Sequence, residues 1–222
     1  MVMSEFMSII QEQDKNIIKY RLSKLKRSAK VVCFLHQYGS DECDEVRELL
    51  SELEQLSSKL IFTVFDIEKN KQEAEHYQVE RVPAIFILTG SESRIRFYGM
   101  PGGYQMESFL EAIEMVGNEI TGLQPQTLEQ IKSISVPVKL QVFVNPKCPY
   151  CPAVVIMAHR LALASANITS EMIEIMEFPE LVSQYNVHGV PKVVINESHY
   201  FEGVLPEDLY IDEIMKAIAV ES

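Results

Sequence analysis

Asn145-Pro146-Lys147-Cys148-Pro149-Tyr150-Cys151-Pro152 is the stretch on which the fold turns. It lies between strand-forming residues and a run of helix formers. Forty residues past Cys151 stands Val190-Pro191, reached through a second strand and a short helix. A dithiol at a helix start, opposite a proline across a groove, suits thiol–disulfide exchange. That chemistry needs a thiolate to attack and a nearby thiol to resolve the mixed disulfide. Unpaired N–H groups and the positive end of the helix dipole favour a thiolate on the first cysteine. Cys148 is therefore the expected nucleophile and Cys151, one turn on, the resolving thiol. Pro149 is compatible with the first helical position, where no N–H is needed, whereas Pro152 removes one early N–H. Lys147 adds a positive charge, and Tyr150 is expected to shape the substrate surface. A cis Val190-Pro191 bond would turn the Val190 backbone toward the dithiol, where it can pair with a substrate strand. His188 falls near the rim, either tuning the thiol or sitting in a surface loop. Glu174 and Glu177 follow the second strand of this half. A buried carboxylate beneath a dithiol can shuttle protons, but solvated turn residues are the simpler expectation.

The chain repeats itself. Cys43 precedes Pro83 by 40 residues, as Cys151 precedes Pro191, and a shift of 108 superposes both pairs. Lys30-Val31-Val32-Cys33-Phe34-Leu35 falls on Val138-Lys139-Leu140-Gln141-Val142-Phe143, strand on strand. Arg81-Val82-Pro83-Ala84 falls on Gly189-Val190-Pro191-Lys192. Each half then reaches a glycine, Gly99 or Gly203, and a closing amphipathic helix. The expected order in each is strand, helix, strand, short helix, strand, strand, helix. In the first half these map to residues 30–36, 42–56, 60–66, 73–77, 84–88, 94–98 and 106–116. One or two amphipathic helices over residues 4–25 precede them, and a short helix at 127–133 opens the second half. Strands alternating with helices imply βαβ units. The expected units are 1–119 and 120–222.

Under this register Ser40 stands where the first half should have its nucleophile: Ser40-Asp41-Glu42-Cys43 replaces Cys-x-x-Cys. A hydroxyl cannot form a disulfide, so Cys43 and Pro83 belong to a degenerate site. Cys33, mid-strand, reads as a small buried hydrophobe.

The composition is ordinary for a globular protein, with 222 residues, 47% hydrophobic and 23% charged. A net charge of −12 argues against nucleic acid and anionic membrane as partners. No apolar run approaches the ~20 residues of a membrane span, and the N-terminus lacks a secretion signal; a cytoplasmic protein is expected. Half a zinc site is the competing reading of a lone cysteine pair. Cys33 and Cys43 lack a second Cys-x-x-Cys, and His159 and His188 show no finger spacing. Neither metal nor other cofactor is expected.

At these residues the chain resembles the protein disulfide oxidoreductases of thermophilic archaea and bacteria, glutaredoxin-like proteins of two fused thioredoxin-fold units. The resemblance rests on the stretch from Asn145 to Pro152, Glu177-Phe178-Pro179-Glu180, Gln184-Tyr185-Asn186-Val187, Val190-Pro191-Lys192, Phe201-Glu202-Gly203 and Tyr98-Gly99-Met100-Pro101. It implies an α/β protein of two tandem thioredoxin-fold units, each a mixed four-stranded sheet flanked by helices, with cis prolines at Pro83 and Pro191. It also implies a dithiol oxidoreductase of protein disulfides, served by a thioredoxin-reductase-like flavoprotein. The chain departs in keeping only the second dithiol, which is similar to the two-unit N-terminal domain of alkyl hydroperoxide reductase flavoproteins. Val204-Leu205-Pro206-Glu207-Asp208 follows Gly203 in place of the Gly-Gly-Ser/Thr-Asp of glutaredoxins, which argues against glutathione as obligatory partner. The alternative from another class is a non-enzymatic adaptor or an electron-relay module docked to a flavoprotein reductase.

Overall fold

Apolar strands bracketing amphipathic helices build the same sheet twice. The computed structural model describes residues 9–221. After α1 (Glu12–Ser23), β1 (Ala29–Leu35) and β2 (Leu60–Asp66) run parallel, joined by α2 (Asp41–Leu56). A short α3 (Lys71–His76) leads to β3 (Ala84–Thr89) and β4 (Glu92–Tyr98), which add antiparallel, and α4 (Gln105–Asn118) closes the half. After α5 (Pro125–Lys132) the pattern recurs. β5 (Val138–Val144) and β6 (Ile168–Glu174) are parallel across α6 (Cys151–Ala164), α7 (Pro179–Gln184) follows, then antiparallel β7 (Lys192–Ile195) and β8 (His199–Glu202), then α8 (Glu207–Glu221). The repeat closes alike in both halves: Gly99 N–H donates to Pro83 O at 3.0 Å and Gly203 N–H to Pro191 O at 2.9 Å.

The two four-stranded sheets are one. The strand order is β2-β1-β3-β4-β6-β5-β7-β8, with β4 and β6 paired in parallel. Ile95, Arg96, Phe97 and Tyr98 lie beside Ser170, Glu171, Met172 and Ile173. Glu171, 1% exposed, is ringed by Lys139 at 3.4 Å, Arg96 at 3.9 Å and Arg81 at 4.0 Å. Burial still pushes its carboxyl upward against those cations. The junction explains why equivalent strands differ: β6 is buried along nearly its whole length, whereas β2, at the sheet edge, exposes Ile61 and Val64.

One face of the sheet carries the main core with α1, α2, α4, α5, α6 and α8; the other carries Phe34, Phe86, Tyr98 and Phe143 under α3 and α7. Helices α4 and α6 pack on each other across the junction. Of the one or two helices expected over residues 4–25, the part at 4–8 lies outside the described residues, and the described part holds one helix, Glu12–Ser23. Ile18 and Leu22 are buried while Ile17 is exposed, because Arg21 grips Glu107 and Glu114 of α4 at 2.7 and 2.8 Å and fixes the face α1 turns inward.

Candidate functional site

Cys148 and Cys151 are joined as a disulfide with their Cα atoms 5.5 Å apart. Cys151, the first residue of α6, is fully buried; Cys148 is half-buried. The Cys151 N–H points at Cys148 Sγ at 3.2 Å. In the reduced protein that donor and the α6 dipole favour a thiolate on Cys148. Cys148 Sγ lies 3.8 Å from Val190 O, and the Val190–Pro191 and Val82–Pro83 bonds are both cis. An open groove of about 290 Å³ is lined by Lys147, Cys148, Ile175, His188, Gly189 and Val190. Tyr150, 68% exposed, stands at the helix start. Lys147, His188 and Val190 thus line one groove with Cys148.

The helix starts later than expected, so Pro149 falls outside it while Pro152 stays in its first turn. Asp44 N–H donates to Ser40 O at 3.2 Å in the first half. The equivalent residue in the second half is Pro152, which has no N–H, so α6 starts two residues later than α2 in the repeat register. Pro152, not Pro149, therefore sits in the first turn, where a missing N–H costs nothing. Pro149 lies ahead of the cap.

In the first half, Ser40 Oγ accepts the Cys43 N–H at 3.1 Å, the same donor geometry that Cys151 directs at Cys148 Sγ. The degenerate position has become the N-cap of α2. Cys43 is 1% exposed, and its Sγ accepts from His36 N–H at 3.4 Å. Cys33 is fully buried, which pushes its thiol up.

Glu174 and Glu177 are not solvated turn residues. Glu174 is 2% exposed, and its Oε2 accepts the Met176 and Glu177 N–H groups, each at 2.9 Å. Glu177 is half-buried and accepts the Met100 N–H at 2.7 Å; burial pushes its carboxyl up to about 7. Its partner belongs to the first half, so the junction of the halves is what desolvates it.

Residues 99–105 cross from the first half to the dithiol loop, a contact that sequence reasoning missed. Tyr104 N–H donates to Pro146 O at 2.9 Å, and the buried Gln105 amide to Asn145 O at 3.4 Å. Asn145 O also takes the Cys148 N–H at 3.0 Å. Three glycines and a proline mark this stretch as turn, but a turn signal does not say what the turn touches. Gly103 has φ +56°, and a Cβ there would meet Pro146 O at 2.4 Å. Gly103→Ala is accordingly expected to cost about 1–3 kcal/mol, read as a lower urea midpoint; an unchanged midpoint would show that this contact carries no weight.

A family model described as a thioredoxin domain matches residues 138–216, the half that carries the dithiol and the cis Pro191. A protein disulfide oxidoreductase from Aeropyrum pernix superposes with TM-score 0.87 over 93% of each chain, at 28% identity. The tandem arrangement and its joined sheet are thus found in a solved relative. The second half is thus similar to a thioredoxin domain, and the chain as a whole is similar to tandem thioredoxin-fold, glutaredoxin-like proteins. An alkyl hydroperoxide reductase component of Staphylococcus epidermidis is 29% identical over 171 residues, 77% of this chain and 31% of that protein. The Escherichia coli protein of the same name is 26% identical over 189 residues, 85% of this chain and 34% of its own length. This tandem protein therefore spans about a third of the curated relatives it matches. Its chemistry is of the thiol–disulfide redox class. Among the described residues no group of three or more His, Cys, Asp or Glu is arranged to hold a metal, and no helix is long and apolar enough to cross a membrane.

Proposed function

We propose that the chain is a protein-disulfide oxidoreductase working through Cys148 and Cys151, with a division near residue 119 between a first unit that serves as scaffold and a second that reacts. The supporting observation is the asymmetry of the two sulfurs: Cys148 faces an open groove with an N–H aimed at it, and Cys151 is shielded beneath. The Cys148 thiolate attacks one sulfur of a substrate disulfide; a new S–S bond forms and the other substrate sulfur leaves as a thiolate. Cys151 then attacks Cys148 Sγ and expels the second substrate sulfur, which leaves with the Cys151 proton as a thiol. Two electrons have passed to the substrate, and Cys148–Cys151 is the disulfide. A thioredoxin-reductase-like flavoprotein returns two electrons. Such a cycle suits a reducing compartment such as the cytoplasm. Val190 offers its backbone to an extended substrate segment beside Cys148, and Lys147, Tyr150 and His188 form the surface that meets it.

A second reading, an electron relay docked to a flavoprotein, is favoured by the relatives named as components of alkyl hydroperoxide reductase. Both readings use the same dithiol.

The test is to trap the intermediate. Cys151→Ser is expected to accumulate a mixed disulfide between Cys148 and oxidised insulin, visible by mass and released by dithiothreitol. Absence of that adduct, with the variant folded, would remove the proposal.

A further inference from the structure

Glu177 stands where the halves meet, and its hydrogen bond runs to the first half, not to the dithiol. Its Oε1 takes the Met100 N–H at 2.7 Å. Gly99 permits the approach: it has φ +90°, and a Cβ there would lie 2.8 Å from Glu174 Cβ and 2.9 Å from Glu177 Oε1. Glu177 Oε2 and Glu174 Oε1 are buried without partners. The charges acting on Glu177 are carboxylates, Glu174 on β6 and Glu42 and Glu45 on α2. Burial first, then these like charges, outweigh the Met100 N–H and bring its titration to about pH 7.

Met100 lies near one end of the stretch whose other end holds the dithiol loop. Tyr104 N–H donates to Pro146 O and Gln105 Nε2 to Asn145 O, the carbonyl that takes the Cys148 N–H. A continuous bonded path of backbone thus leads from the Glu177 carboxylate to the amide of Cys148. Loosening Met100 frees the near end of this path, and the far end bears directly on the cysteine loop.

We infer that Glu177 is a positioning residue, anchoring residues 100–105 so that they hold the 145–148 loop and present Cys148. The inference rests on Cys148–Cys151 being a redox dithiol, but its readouts need no protein substrate, so its failure is distinguishable from failure of the proposed function. It also gives the first unit a role at the site although its own dithiol is gone.

The test compares wild type, Glu177→Gln and Glu177→Ala. Two quantities are measured: equilibrium of the dithiol with a dithiothreitol redox buffer, and alkylation of reduced Cys148 by iodoacetamide from pH 5 to 9, with the modified residue identified by mass. Glutamine keeps an acceptor for the Met100 N–H but cannot ionise; alanine removes the acceptor. Wild type is expected to show an inflection near pH 7 beyond that of the thiol itself, which Glu177→Gln abolishes. Glu177→Ala should shift the redox equilibrium constant three- to tenfold, about 15–30 mV for two electrons, with glutamine within twofold of wild type. Persistence of the inflection in the glutamine variant, or an alanine variant within twofold of wild type, overturns the inference. Should the alanine variant fail to fold, Glu177→Leu, which also lacks an acceptor but fills the buried space, is read in its place by the same criterion.

Discussion

Replacing Cys148 with serine is expected to lower dithiothreitol-driven insulin reduction to background, a loss on the order of 10³-fold or more. A serine hydroxyl is protonated at working pH and cannot form the S–S bond on which the cycle depends. Cys151 cannot substitute, because it is fully buried. The contrasting variant is Cys43→Ser, expected to leave the rate within about twofold, since Cys43 is 1% exposed and its would-be partner is the capping hydroxyl of Ser40. Equal rates for wild type and Cys148→Ser would eliminate the enzyme and leave the adaptor. A large loss in Cys43→Ser would instead mean that the first unit is chemically active.

Local order was largely legible because it depends on local pattern. The strand expected at 30–36 is Ala29–Leu35, and the helix expected at 42–56 is Asp41–Leu56, because Val46, Leu49, Leu50 and Leu53 share one buried face. The spacing of Cys43 to Pro83 and Cys151 to Pro191 survives in space as two cis prolines, with Ser40 Oγ and Cys148 Sγ accepting equivalent N–H groups. What the sequence could not show is what the halves do to each other. The β4–β6 pairing joins strands some 75 residues apart, and only their side-by-side placement makes Arg96 a neighbour of Glu171. The same union buries Glu174 and Glu177, whose charge in isolation argues for solvent. The contact of Gly103 with Pro146 is likewise a product of assembly. Pro149 differs for another reason: it suits a helix start, but Pro152 cannot donate to residue 148, and α6 begins only at Cys151.

His159 should make the protein acid-sensitive, and its replacement by leucine should remove most of that sensitivity. The residue lies two turns into α6 from Cys151, fully buried, with its ring 4.7 Å from that of Phe97 on β4. Neither ring nitrogen has a hydrogen-bond partner. Burial therefore lowers its pKa from 6.5 to about 3. Below pH 6.5 the unfolded chain takes up a proton at this site and the folded chain does not, so the stability present at higher pH is lost progressively down to about pH 3. At roughly 1.4 kcal/mol per unit, the loss is about 2 kcal/mol at pH 5 and about 4 kcal/mol at pH 3, where the folded site is itself half protonated. Glu171, Glu174 and Glu177 work in the opposite sense: their folded pKa values are raised, so their contribution is present below the usual carboxylate range and is lost as pH rises. They are common to both proteins and cancel in the difference. His159→Leu, close in volume and free of unpaired nitrogens, is expected to be more stable by about 1–3 kcal/mol at pH 8. That margin should widen by about 2 kcal/mol at pH 5, measured by urea unfolding of both proteins at each pH. A margin that stays constant with pH would mean that the imidazole finds a partner or solvent within the α4–α6 contact, and that the junction between the halves is looser than its packing indicates.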